Sequence, residues 1–182
     1  MSSTNCITTQ SIEFKSAIKK YILGAIRAES VSASCRLGDF AEEDIVIYRG
    51  YAFKTKNELI EFVEKELGGD IFTHNLAMKT ISSWSEDSSV ASDFCYGSGI
   101  NYYNGKSDEY LYNIILCQIC APESVIISCY DNLEQFPENV RELIRNDSEF
   151  ILMPGNYQCE LYKCSDEVAE IFSITDSYYL YL

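Results

Sequence analysis

Two stretches in the second half of the chain, YLYNIILCQICA (Tyr110 to Ala121) and SVIISCY (Ser124 to Tyr130), decide the fold class. Both are short and rich in β-branched and aromatic residues, a composition typical of β-strands. Further along, Glu149 to Leu161 predicts two strands separated by Pro154-Gly155, and Ile171 to Leu182 predicts another. The second half of the chain is therefore expected to be mainly β-sheet.

Helical patterns occupy the first half of the chain. Apolar residues recur at helical spacing in Ile12 to Arg27 and again in Lys56 to Leu67, where Gly68-Gly69 marks the end of the helix. Between them, Asp44 to Gly50 predicts a short buried strand that ends at its glycine. Helices early and strands late, without regular βαβ alternation, predict an α+β domain with an antiparallel sheet.

The middle of the chain mixes strand, helix and loop signals. Thr80 to Ser85 has an extended pattern, and Glu86 to Phe94 begins with acidic and serine residues suited to a helix N-terminus. Gly97 to Glu109 combines turn-forming residues with tyrosines and predicts a binding loop. Asn132 to Arg145 predicts a loop with a short helix.

Composition and charge narrow the classes of function. A length of 182 residues fits one domain spanning residues 1–182. Fourteen basic against 28 acidic residues give 14 − 28 = −14, which disfavours non-specific binding to nucleic acid or to an anionic membrane. Residues Met1 to Gln10 lack the pattern of a secretory signal, and no run approaches the roughly 20 apolar residues of a spanning helix. We therefore expect a soluble, cytoplasmic protein with reduced cysteines.

Three segments carry polar residues in patterns that suit chemistry. They are VIYRG from Val46, ISSWSEDSSVASDF from Ile81 and DSEFILMPG from Asp147. Side chains alternate in an extended segment, so Ser83 and Ser85 are expected to share one face, and Asp147 and Glu149 another. Taken alone each pattern is ordinary, because a strand-end arginine such as Arg49 is usually a solvated or ion-paired surface residue.

In this order and at these separations, the three segments resemble the Arg, Ser-x-Ser, acidic-x-Glu signature of the arginine-serine-glutamate class of mono-ADP-ribosyltransferases. The resemblance covers roughly residues 45 to 162 and is closest to small phage-encoded or bacterial toxin-like members. It implies an ADP-ribosyltransferase-like fold of two packed antiparallel sheets with N-terminal helices. It also implies that NAD⁺ binds as co-substrate in a cleft between the sheets, with no metal.

The resemblance assigns a role to each residue of the signature. Arg49, beside Gly50, would hold the phosphates or the nicotinamide ribose through charge-assisted hydrogen bonds. Glu149 would stabilise the positive charge that develops on the ribose when the nicotinamide bond breaks. Ser83 and Ser85 would hold the carboxylate and the ribose in position.

Two aromatic residues and one carboxylate leave alternatives open. Phe94 either walls the nicotinamide pocket or faces inward from its helix. Asp147 stands where relatives with arginine acceptors carry Glu, so the acceptor residue is not fixed by the resemblance. By chain order, Asp131 to Asn146 with Phe136 resembles the acceptor-recognition turn, and Gly97 to Glu109 resembles the phosphate-nicotinamide loop.

Other residues have structural interpretations. Cys117 and Cys120 are three apart on a predicted strand and therefore face opposite sides, which favours buried apolar thiols over a zinc site. Trp84 is expected to pack in the core. His74, the chain's single histidine, is expected to be a surface loop residue.

The sequence thus predicts an enzyme that transfers one ADP-ribose from NAD⁺ to a macromolecule, as a phage effector or toxin. A protein acceptor is favoured over RNA or DNA because of the acidic charge. The alternatives are plain NAD⁺ hydrolysis and a non-catalytic interaction module on the same fold. An inhibitor or antitoxin protein is a further expected partner.

Overall fold

A computed structural model describes residues 3–32, 36–38, 40, 45–95 and 110–180, with side chains from residue 12 onward. Within these residues there are five α-helices: α1 Ser3–Ile22, α2 Lys56–Glu66, α3 Ser88–Cys95, α4 Glu138–Asn146 and α5 Asp166–Phe172. The strands are β1 Val46–Phe53, β2 Thr73–Met78, β3 Ser82–Ser85, β4 Tyr112–Ile119, β5 Val125–Ser128, β6 Glu149–Leu152 and β7 Gly155–Cys164.

The strands form one antiparallel sheet in the order β2-β7-β4-β1-β3-β6-β5. This confirms the predicted α+β class and the antiparallel sheet. The resemblance implied two packed sheets, and in the part of the chain that the structure describes a second sheet is not seen.

By contacts, the chain divides into two compact units, each drawn from three separate segments. Unit 1 comprises Met1–Asp44, Met78–Trp84 and Cys120–Gly155. Unit 2 comprises Ile45–Ala77, Ser85–Ile119 and Asn156–Leu182. The prediction of a single domain over residues 1–182 stays a prediction.

Unit 1 has a core of aliphatic and aromatic side chains. Helix α1 begins at Ser3, earlier than predicted, and ends at Ile22, because Gly24 adopts a left-handed backbone (φ +65°). Phe14 and Ile18 of α1 are buried in this core. The other buried members come from the segment after α1 and from the segments around β3, β5, α4 and β6: Val31, Ile81, Ile126, Ile127, Leu133, Phe136, Val140, Ile144 and Ile151.

Unit 2 is built on the pairing of β1 with β4. The register runs from Val46 opposite Ile119 to Phe53 opposite Tyr112, so the predicted end of the strand at Gly50 is wrong. Gly50 serves packing instead, since a Cβ there would lie only 2.1 Å from the carbonyl oxygen of Ala91 on α3. The glycine lets α3 approach the strand closely.

Helix α2 is confirmed, and its start has a clear cause. Thr55 and Glu58 form a capping box, in which the Thr55 side chain accepts from the Glu58 backbone while Glu58 accepts from the Thr55 backbone. Such a cap satisfies backbone donors that a helix otherwise leaves without partners.

The structure of the last described residues differs from the prediction. Most of the predicted strand Ile171 to Leu182 is instead the end of α5, a left-handed Ser173 (φ 55°) and a 3₁₀ turn at Ser177–Tyr179. Only one bridge, Cys164 to Leu180, has β character there. Asp166 and Glu167 favour the helix because acidic residues stabilise a helix N-terminus.

The unpredicted strand β2 alternates exposed and buried side chains. Polar His74 on the buried face and Ala77 on the exposed face weaken the alternation that would predict a strand from the sequence. None of the helices among the described residues has the length and apolar character needed to cross a membrane.

Candidate active site

Arg49 lies in the middle of β1 in unit 2 and is half-buried. Its guanidinium carbon is 5.3 Å from the centroid of the Tyr51 ring, and the Tyr51 ring is in turn 4.8 Å from the Phe62 ring of α2. Burial raises the pKa of Tyr51, while the Arg49 charge and a side-chain hydrogen bond to Arg49 oppose that rise. The guanidinium is therefore held against an aromatic stack.

Ser85 is the last residue of β3, opposite Tyr48 of β1 in the register of unit 2. Its hydroxyl oxygen accepts a hydrogen bond from the Asp87 backbone nitrogen at 3.0 Å. Asp87 Oδ1 accepts from the backbone nitrogen and the hydroxyl of Ser89 at 2.8 and 2.7 Å, and these hydrogen bonds lower the Asp87 pKa. Ser85 is thus fixed just before the start of α3, on the strand next to the one that carries Arg49.

Ser83 lies in the unit 1 part of β3 and is half-buried. Its hydroxyl oxygen is 2.9 Å from the hydroxyl oxygen of Tyr21, near the end of α1. The neighbouring Trp84 is 2% exposed, which confirms its predicted place in the core, and its ring nitrogen donates to the Ser82 hydroxyl at 3.0 Å.

Glu149 is the first residue of β6 and is half-buried. Strand β6 is the neighbour of β3 in the sheet, so Ser83 and Glu149 lie on adjacent strands of unit 1. Pairing with β5 fixes the other side of β6, with Ser128 opposite Phe150.

Asp147 does not share a strand face with Glu149, and that prediction is wrong. Asp147 caps the C-terminus of α4 (φ −89°, ψ 3°), and Ser148 takes a left-handed backbone with φ 46° before β6 begins. The left-handed residue breaks the alternation on which the prediction rested. Burial raises the pKa of the Asp147 carboxyl.

The two predicted aromatic contributors are found in different environments. Phe94, on α3, is 51% exposed, so the prediction that it faces inward is wrong, and its role as a pocket wall stays a prediction. Phe136 is 4% exposed and belongs to the core of unit 1. The proposed phosphate-nicotinamide loop, Gly97 to Glu109, lies outside the described residues.

His74 was predicted to be a surface residue, and this is wrong. It lies on β2 with 5% of its surface exposed, and neither ring nitrogen has a hydrogen-bond partner among the residues that the structure describes. Burial lowers its pKa. The alternating pattern of β2 turns this side chain inward together with Leu76.

Cys117, Cys120, Cys159 and Cys164 are free thiols. Cys120 is buried and Cys117 half-buried. Burial raises the pKa of Cys120 and Cys164 to about 11 and that of Cys159 to about 12, which keeps these thiols protonated and unreactive at neutral pH. In the described part of the chain no cluster of three or more His, Cys, Asp or Glu side chains could hold a metal ion.

One surface groove of about 450 Å³ lies in unit 2, between α2 and β1. It is lined by Phe53, Glu58, Glu61, Phe62, Lys65 and Glu66. None of the predicted site residues lines it.

Two residues that the sequence did not single out contact the predicted site. Tyr21 meets Ser83, and Tyr51 meets Arg49. Tyr51 follows Arg49 by two positions on a strand, so strand alternation could have suggested it. Tyr21 is 62 residues from Ser83, and no sequence pattern links them.

Comparison of the chain with protein-family models, with curated proteins and with solved structures finds no match to any of them.

Proposed function

We propose that the chain is a mono-ADP-ribosyltransferase that cleaves NAD⁺ at the nicotinamide bond and transfers ADP-ribose to a protein. The ordered Arg, Ser-x-Ser, acidic-x-Glu signature carries the proposal. Two local findings support it. In unit 2, Arg49 and Ser85 lie on neighbouring strands, and in unit 1 Ser83 and Glu149 lie on neighbouring strands.

The side chains suit the chemical groups of NAD⁺. Arg49 would bind diphosphate oxygens, and because Tyr51 already orders the guanidinium, less conformational entropy is lost on binding. Ser83 and Ser85 would bind ribose hydroxyls and orient the Glu149 carboxylate. NAD⁺ supplies an activated bond between ribose and a positively charged leaving group.

Glu149 would supply most of the electrostatic stabilisation. Positive charge builds on the ribose as nicotinamide leaves, so a fixed carboxylate stabilises the transition state more than the bound substrate. A unit charge pair about 4 Å apart contributes about 4 kcal/mol at an effective dielectric of 20. A partly buried site such as that of Glu149 preserves this attraction better than an exposed one.

Asp147 is assigned to the acceptor. Burial raises the pKa of this carboxyl, which makes it a better proton acceptor than an ordinary aspartate. It would take the proton that the acceptor group loses as the new bond to ribose forms. Its side chain is shorter than glutamate, so arginine is not assigned as the modified residue.

The acceptor class follows from charge. A net charge of −14 disfavours RNA and DNA, and we therefore place a protein first. A cytoplasmic phage effector or toxin, countered by an inhibitor or antitoxin protein, is the setting that the resemblance implies.

Incubation with radiolabelled NAD⁺ and cell lysate, followed by separate protease and nuclease digestion, tests the acceptor. We expect macromolecular label that protease removes and nuclease does not. Label removed only by nuclease would overturn the protein assignment, and free ADP-ribose without labelled macromolecule would show hydrolysis instead of transfer.

A further inference from the structure

Tyr21 connects helix α1 to the serine pair of the signature. Its hydroxyl oxygen lies 2.9 Å from the Ser83 hydroxyl oxygen, a normal distance for a hydrogen bond between hydroxyls. The Tyr21 ring packs against the unit 1 core, which fixes the position of the hydroxyl. Ser83 thus has a partly buried hydrogen-bond partner within its own unit.

The direction of this hydrogen bond determines what Ser83 can do. A phenol hydroxyl is a better donor than an aliphatic one, because the ring withdraws electron density from the oxygen. Each hydroxyl carries one proton and two acceptor lone pairs. When Tyr21 donates to Ser83, the single Ser83 proton points away from Tyr21, where it can be donated to a ribose oxygen or a carboxylate.

We infer that Tyr21 is a positioning residue that sets the donor direction of Ser83, so that α1 takes part in binding NAD⁺ as well as in packing. This inference rests on the proposed function. Without the phenol hydroxyl, the Ser83 proton can rotate among several acceptors, and fewer molecules present it to the ligand at any moment.

A double-mutant cycle tests the inference with two readouts, the Kd for NAD⁺ from titration calorimetry and the rate of nicotinamide release. We expect Tyr21→Phe to weaken binding and to lower the rate by about fivefold each, the scale of one neutral hydrogen bond. In the Ser83→Ala background, Tyr21→Phe should have no further effect. In the Ser83→Thr background, which keeps a hydroxyl, it should again cost about fivefold.

The control is Tyr178→Phe, which removes a hydroxyl from a side chain that is 60% exposed and should change neither readout. Tyr21→Phe retains the ring that packs on the core, so its thermal midpoint should fall by only about 2–4 °C, the shift for one lost hydrogen bond. Wild-type values in Tyr21→Phe, or an undiminished effect in Ser83→Ala, would overturn the inference while the proposed function stands. A wild-type protein that neither binds NAD⁺ nor releases nicotinamide would overturn both.

Discussion

Three residues of the proposed site are held by neighbours that the signature does not contain. Arg49 lies over Tyr51, Ser83 meets Tyr21, and Ser85 accepts a hydrogen bond from the backbone nitrogen of Asp87. A motif contains the residues that contact the ligand, whereas many different side chains can orient them. The sequence could therefore suggest the signature residues but not Tyr21, which comes from a distant helix.

His74 leads to a prediction about stability and pH. Burial holds its folded-state pKa below the unfolded value of about 6.5, so the unfolded chain binds more protons as pH falls. The contribution of His74 to the free energy of unfolding should therefore be fully present above about pH 6.5. It should be lost as pH falls below that value, by at most about 1.4 kcal/mol per pH unit. Urea unfolding between pH 7.5 and 5.5 measures this loss.

His74→Leu should flatten that pH dependence and raise stability at neutral pH by about 1 kcal/mol, because it replaces a buried polar group that has no hydrogen-bond partner in the described part of the chain. Asn75→Leu, at the exposed neighbouring position on β2, is the control and should keep the wild-type pH dependence. An unchanged slope in His74→Leu would contradict this account.

At the scale of elements, the sequence predicts segments whose periodicity and end signals agree. Helix α2 has its apolar spacing, its capping box and terminal glycines, and β4 contains the apolar run from Ile114 to Cys117. Strand β2 was missed because polar His74 is on its buried face and Ala77 is on its exposed face, which weakens the apolar–polar alternation that predicts a strand. The last segment was assigned to a strand from its composition, although Asp166 and Glu167 at the start of α5 favour a helix.

The approach of α3 to β1 yields a second prediction. Gly50→Ala places a Cβ 2.1 Å from the Ala91 carbonyl oxygen and 2.7 Å from the Cys95 sulfur, so helix and strand must separate. We expect a loss of about 1–3 kcal/mol in the free energy of unfolding, measured by urea titration.

Gly68→Ala separates this steric effect from backbone strain. Gly68 has a left-handed backbone, φ +69°, and no atom of the described residues lies within 4 Å of an added Cβ, so Gly68→Ala should cost only about 1 kcal/mol. Combining Gly50→Ala with Cys95→Ala should not restore stability, because the Ala91 carbonyl remains. If Gly50→Ala had wild-type stability, the close packing of α3 on β1 would not require a glycine at this position, and the prediction would be wrong.

For the whole molecule, the fold class could be predicted from the sequence, whereas the division of the chain into two compact units could not. Helices early and strands late gave the α+β class and the antiparallel sheet, because those depend on local patterns. The assignment of segments to units depends on long-range contacts. Ser83 and Ser85 share one short strand, yet fall in different units.

The functional proposal concerns the whole chain, and purified protein with NAD⁺ and cell lysate tests it most directly through nicotinamide release. The account predicts release by the wild type and a loss of about 100-fold or more in Glu149→Ala, the scale for removal of a transition-state partner. Glu142→Ala, an exposed position on α4 in the same unit, should retain wild-type release. No release from folded wild-type protein, or equal release from Glu149→Ala, would contradict the account.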